Sequence, residues 1–144
     1  MKKNNKKFRV ISLFSGAGGM DLGFINAGFD IVWANDFFKE AVESYKKNIS
    51  EDIVFGDITK IKSSEMPDDI DLVIGGFPCQ GFSVANTKRS MKDERNFLYK
   101  EMLRVIKDKN PKFFVAENVK GILSMEKGKV IEMIKKDFES LGYK

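Results

Sequence analysis

The chain has 144 residues, of which 42% are apolar and 32% charged, a balance that belongs to one folded domain rather than to a disordered chain. Its 25 Lys and Arg against 21 Asp and Glu leave a net charge of +4, which permits an anionic partner without requiring one. One cysteine and no histidine exclude an intrachain disulfide, a Cys/His zinc site, a Ser-His-Asp triad and a Cys-His dyad.

The basic start, Met1 to Lys7, reads as a frayed N-terminus. The apolar run behind it, Val10 to Phe14, is broken by Ser12 and ended by glycines. It is too short for a signal-peptide core or for the ~18 apolar residues of a membrane span, so a cytoplasmic protein is expected.

Phe8 to Phe14 (FRVISLF) predicts a first strand, and Asp21 to Ala27 a helix that ends at Gly28 in the position after the cap. Asp30 to Ala34 (DIVWA) predicts a second strand. Lys39 to Ile49 carries Val42, Tyr45 and Ile49 at helical spacing. Short third and fourth strands are expected at Asp52 to Phe55 and Asp71 to Gly75. Asn96 to Asp108 predicts an amphipathic helix with Leu98, Met102, Val105 and Ile106 on one stripe. Lys112 to Ala116 (KFFVA) is a fifth strand, and Gly128 to Leu141 a last helix with Ile131, Ile134, Phe138 and Leu141 inward. No repeat or linker interrupts the alternation. Strands separated by helices predict an α/β, Rossmann-like fold: a mostly parallel sheet of about five strands with helices on both faces. Ligands of such folds bind at the carboxyl ends of the strands, which is where the unusual residues of this chain fall.

The first of these is Phe14-Ser15-Gly16-Ala17-Gly18-Gly19-Met20-Asp21, a glycine-rich turn from strand to helix. Gly16 and Gly18 fit the opening of a G-x-G-x-x-G dinucleotide loop, but the third position is Asp21. A carboxylate there is poor company for pyrophosphate. It disfavours a nicotinamide-dependent oxidoreductase and suits a nucleoside ligand without phosphates, or a cationic one. A plain tight turn is equally open. Asn35-Asp36 follows the second strand, 22 residues after Phe14. Asp36 is placed either to bond ribose hydroxyls or to cap the next helix, and Phe37 to stack on a purine. Gly56-Asp57-Ile58 offers an acid for an exocyclic amine, or an ordinary Gly-Asp turn. Gly75-Gly76-Phe77-Pro78-Cys79-Gln80-Gly81-Phe82-Ser83 sets a cysteine after proline at a strand end. That is unlike the packing of a structural cysteine, although a buried cysteine is the commoner case. Glu117-Asn118-Val119 closes the set, with Glu117 either a catalytic acid or a solvated loop acid.

Phe-Pro-Cys-Gln with Phe-Ser, and Glu-Asn-Val 38 residues after the cysteine, resemble the cytosine-C5 DNA methyltransferase family. FSGAGGMDLGF resembles that family's cofactor loop, and Asp36, Asp57 and Arg95…Leu98 match its intermediate motifs in order. The resemblance runs from about Phe8 to the C-terminus, the N-terminal catalytic portion of the family. It implies S-adenosyl-L-methionine over Phe14, Ser15, Gly16, Ala17, Gly18 and Gly19. Asp36 would hold the ribose, Phe37 would stack on the adenine and Asp57 would take its amine, with Ile58, Pro78 and Leu98 also at the cofactor. It implies that a Cys79 thiolate adds to C6 of a flipped-out cytosine in double-stranded DNA, with Glu117 at N3 and the amine and Arg95 placing the nucleotide. Without histidine, the thiolate depends on backbone dipoles or basic residues. Lys88, Arg89 and Lys92 in Val84 to Glu94 are placed to meet phosphates, or form a solvated loop.

The family is normally much longer. Its Gln-x-Arg-x-Arg motif, its target-recognition region and its final cofactor-completing segment do not occur in residues 8 to 144. The expectation is a split enzyme needing a second polypeptide, a truncated product, or a degenerate relative. The sheet's far edge is then expected to be unpaired and apolar. The resemblance implies a restriction-modification role, and leaves open as alternatives tRNA as substrate and a noncatalytic S-adenosylmethionine-binding module. No metal or membrane partner is expected.

Overall fold

In strand β1 (Arg9–Leu13) successive side chains serve opposite faces of the sheet. Val10 packs towards helix α1 (Gly19–Asn26), against Met20 and Phe24, while Ile11 and Leu13 join the larger core on the other side. The computed structural model describes residues 6–78 and 98–144. Its elements continue with β2 (Asp30–Asp36), α2 (Lys39–Asn48), β3 (Ile53–Phe55), β4 (Leu72–Gly75), α3 (Leu98–Lys109), β5 (Phe113–Ala116) and α4 (Lys129–Glu139). Short 3₁₀ turns at Ile58–Lys60 and Ser63–Glu65 and a longer kinked stretch at Lys120–Gly128 connect them.

All strand pairs are parallel and the order is β3-β2-β1-β4-β5. The chain winds outward from β1 to β3, then crosses back to β4 and winds the other way. The reversal lies between β1 and β4, where Leu13 pairs with Asn35 on one side and Gly75 on the other. An open α/β sheet has its ligand crevice at this switch point. Gly75 is required there, because a Cβ on it would lie 3.0 Å from the Leu13 carbonyl oxygen.

One face of the sheet is covered by α1 and α2, through Val42 and Tyr45 on Ala34 and Ile53. The other is covered by α3 and α4, with Tyr99, Met102, Val105, Ile106, Ile134 and Phe138 packed on Ile11, Leu13, Trp33 and Val73. Tyr99 takes the buried place on α3 that the predicted stripe assigned to Leu98, which is only partly buried. Gly28 closes α1 with a φ of 92°, as its position predicted. Strand β2 runs two residues further than the apolar pattern implied, because Asn35 and Asp36 pair in register with Val54 and Phe55. Among the described residues β5 forms an edge and Phe113 and Val115 are 63% and 41% exposed, as expected for that edge. No helix among the described residues is long and apolar enough to cross a membrane.

Candidate active site

The turn after β1 begins with a strained residue. Phe14 has φ 53°, a left-handed backbone that a bulky side chain adopts at a cost of about 1–3 kcal/mol and that clusters at functional sites. Gly16 and Gly18 continue the turn with φ of 56° and 92°. The turn is tied to β2 by backbone and side chain together. Ser15 N–H donates to the Asn35 carbonyl at 3.0 Å and Gly16 N–H donates to Asp36 Oδ2 at 2.7 Å. Asp36 Oδ1 accepts from Phe38 N–H at 2.8 Å. Asp36 is thus the last strand residue and not the helix cap, which is Phe38. Each Asp36 oxygen keeps a lone pair for a further donor. Phe37 stands beside it, 62% exposed.

Asn35 is buried and its Nδ2 donates to the Val54 and Gly56 carbonyls at 2.9 and 3.0 Å. It brings the end of β3, and with it Asp57, to the same edge. Asp57 caps the first 3₁₀ turn, where Oδ1 accepts from Thr59 N–H and Oγ. The Thr59 hydroxyl bond holds its carboxyl below the usual carboxylate range. Ile58 turns its side chain into the core, so only its backbone lies at the rim. Arg104 of α3 clamps that backbone, donating to the carbonyls of Ile58 and Ile61 and to Ser63 Oγ at 3.1, 3.0 and 2.7 Å. Sequence reasoning missed Arg104. Its only local signal is an arginine paired with Glu101 within an amphipathic helix, and the groups it clamps lie 41 to 46 residues away.

Asp21 does not face a ligand. Its carboxylate is fully buried and accepts from Ser12 Oγ and from Tyr45 Oη, both at 2.7 Å. Burial pushes its pKa up against those two bonds, and burial with the Asp21 carboxylate pushes the Tyr45 phenol up as well. The expectation that Asp21 repels pyrophosphate or favours a cation is therefore corrected. The hydroxyls of β1 and α2 draw it inward, which glycine spacing could not reveal.

Across the switch point, Glu117 N–H donates to the Gly75 carbonyl at 2.9 Å, carrying Glu117 to the end of β4. Its carboxylate lies against Gly76, so close that an added Cβ would sit 2.8 Å from Oε2. Asn118 Nδ2 donates to the Phe77 carbonyl at 2.9 Å and ties β5 to the segment leading into Pro78. Leu98, the first described residue of α3, packs against the main core. Cys79, the Gln80 to Ser83 motif, Val84 to Glu94 and Arg95 lie outside the described residues.

Residues 8–144 match the family described as C-5 cytosine-specific DNA methylase. The chain belongs to this family of DNA methylases. It is 49% identical to Type II methyltransferase M.NgoFVII of Neisseria gonorrhoeae, over 99% of this chain and 38% of that protein. Among solved structures, a prophage-encoded DNA modification methyltransferase of E. coli superposes with a TM-score of 0.76 at 32% identity, covering 93% of this chain and 38% of that one. The S. pombe Dnmt2 methyltransferase superposes with a TM-score of 0.72 at 28% identity, covering 93% and 42%. The chain thus spans about two fifths of the length of each of these three proteins. The span holds the sheet, the glycine turn and the Glu117 strand end described above.

Proposed function

We propose that the chain is the catalytic and cofactor-binding portion of a DNA cytosine-C5 methyltransferase. One arrangement carries this reading. The Gly16–Asp36 tie and the Glu117–Gly76 contact flank one switch point, with residue 79 three positions past Gly76. The donor set fits S-adenosyl-L-methionine. Asp36 and Asp57 present two carboxylates at the carboxyl ends of β2 and β3, which suit ribose hydroxyls and an adenine amine and repel a phosphate chain. Phe37 offers an exposed ring for stacking. Phe14, Ser15, Gly16, Ala17, Gly18 and Gly19 would form the cofactor's floor, with Ile58, Pro78 and Leu98 as its surroundings. When bound, S-adenosylmethionine supplies an electrophilic methyl group.

The chain's own residues prepare the base. Cytosine C5 is a weak nucleophile, and a Cys79 thiolate adding to C6 makes C5 enamine-like. Glu117, in its acid form, gives a proton to N3 while its other oxygen accepts from the exocyclic amine, neutralising the charge that addition creates. Once C5 carries the transferred methyl group, loss of its proton to solvent restores the 5,6 double bond and expels the Cys79 thiolate. The base must leave the helix to reach these groups, and Arg95 helps place its nucleotide. Target recognition is supplied by sequence outside these residues, in the same or a second polypeptide; the matched relatives are more than twice this length, which leaves room for it. Residues 8 to 144 act as one catalytic domain behind a basic N-terminal arm, in the cytoplasm.

Labelled S-adenosylmethionine incubated with the chain and double-stranded DNA, with tRNA and Cys79→Ser as controls, tests this. Cofactor binding is expected, with methyl transfer to DNA once the recognition part is present and none from Cys79→Ser. Transfer to tRNA alone would overturn the DNA assignment, and transfer surviving Cys79→Ser would overturn the covalent route.

A further inference from the structure

Three buried polar side chains from three elements meet beneath the glycine turn. Ser12 of β1, Asp21 of α1 and Tyr45 of α2 are 1%, 0% and 1% exposed. Asp21 takes one hydroxyl on each carboxylate oxygen, from Ser12 and from Tyr45. Ser15 extends the chain upward, its Oγ lying 2.9 Å from Ser12 Oγ and 3.1 Å from the Ser12 carbonyl. The Tyr45 ring also forms the floor of the turn, since a Cβ on Gly18 would lie 2.9 Å from its Cδ2. One tyrosine therefore fixes both ends of the loop: Gly18 by contact and Ser15 through Asp21 and Ser12.

A buried carboxylate without its donors is costly, so such a network persists only where the surrounding structure pins it. It lies on the interior side of the turn, and none of its three buried members can touch a ligand. The upper side of the same turn carries the Gly16 N–H that meets Asp36. A binding loop keeps its geometry only when residues behind it are locked.

We propose that Tyr45 and Asp21 are positioning residues for the cofactor loop, setting from beneath the height of Ser15 to Gly18 relative to Asp36. This rests on the reading of the loop as the S-adenosylmethionine site. The Tyr45→Phe variant keeps the ring under Gly18 and removes the bond to Asp21. The Asp21→Asn variant removes the charge and keeps the shape, but offers one acceptor oxygen where two hydroxyls donate to two.

The test measures two quantities on the 144-residue chain and on both variants, well below their thermal midpoints. One is S-adenosylmethionine affinity by calorimetry. The other is amide hydrogen exchange at Gly16 and Gly18 without ligand. For Tyr45→Phe we expect affinity about tenfold weaker and faster exchange confined to the turn, and for Asp21→Asn a smaller change of both in the same direction. Unchanged affinity and exchange in a folded Tyr45→Phe would overturn the proposal. So would exchange accelerated evenly over the sheet, which marks general loosening. If Tyr45→Phe does not fold, Asp21→Asn decides: selective loosening at Gly16 and Gly18 supports the proposal, and wild-type exchange there overturns it. If the wild-type chain binds no S-adenosylmethionine, the cofactor reading fails, and the exchange pattern still decides the positioning role.

Discussion

At the carboxyl ends of β1 and β2 the chain is cross-tied by polar side chains, whereas at β4 and β5 it is close-packed around glycines. The first region holds its turn with Asp36 on Gly16, Asn35 on β3 and the Ser12–Asp21–Tyr45 network beneath. The second holds Glu117 by one backbone bond and by the missing side chain of Gly76. The first is covered by α1 and α2, while the second leaves Phe113 and Val115 of β5 exposed. The proposed cofactor side is thus pre-formed by residues of this chain. The proposed base side places Glu117 closely against Gly76 but is open at the neighbouring strand. Cofactor binding and methyl transfer are therefore expected to separate under mutation.

The largest effect falls on the cofactor side. Gly18 has φ 92°, and a Cβ on it would meet Ile49 at 2.6 Å and the Tyr45 ring at 2.9 Å. Gly18→Ala combines left-handed strain with overpacking, so destabilisation of about 2–4 kcal/mol is expected. The thermal midpoint should fall by roughly 10 °C, and S-adenosylmethionine binding should weaken with it. A midpoint and affinity like those of the wild type would mean that the turn is not held from beneath, and the contrast between the two regions would collapse.

Gly76→Ala sharpens the same contrast from the other side. Gly76 has no left-handed backbone, so the only conflict is the 2.8 Å approach of its Cβ to Glu117 Oε2. The carboxylate can swing outward, so stability should change by less than about 1 kcal/mol. Cofactor affinity should hold, while methyl transfer, measured with the recognition part supplied, should fall by about 10²-fold, the scale of a 1 Å misplacement. An equal loss of affinity and transfer would show that the two regions are not independent.

Much of this division could be read from residue order, and the rest depended on contacts that residue order does not carry. The sheet, the glycine turn and the position of Glu117 follow from apolar runs punctuated by glycines and acids at strand ends. Gly28 was readable because a helix stop needs one residue in one conformation. Asp21 was misread because the hydroxyl that turns it inward belongs to Tyr45, 24 residues away. Arg104 was unreadable for the same reason. The end of β2 was missed because Asn35 and Asp36 are polar, and their strand geometry comes from pairing with β3. The 3₁₀ turns are too short to show a period.

The smallest effect is expected where the two regions share a support. At the amino ends of the strands, Asp71 accepts from Arg9 N–H at 3.0 Å and from Lys112 Nζ at 2.7 Å, joining β1 to the start of β5. The Arg9 backbone bond, followed by the lysine, holds its carboxyl below the ordinary range. A carboxyl depressed in the folded state contributes stability above its unfolded pKa and loses it as pH falls through the folded value. Asp71→Asn should therefore lower the midpoint slightly near neutral pH, by less than about 1 kcal/mol, the scale of an exposed ion pair. The gap from wild type should close as pH drops below the ordinary carboxylate range. Cofactor affinity and transfer should change little and in the same proportion, because Asp71 ties both regions at the end away from the site. A gap that widened in acid would reverse the sign of this argument. A selective loss of transfer would show instead that strain at the amino ends of β4 and β5 reaches Glu117.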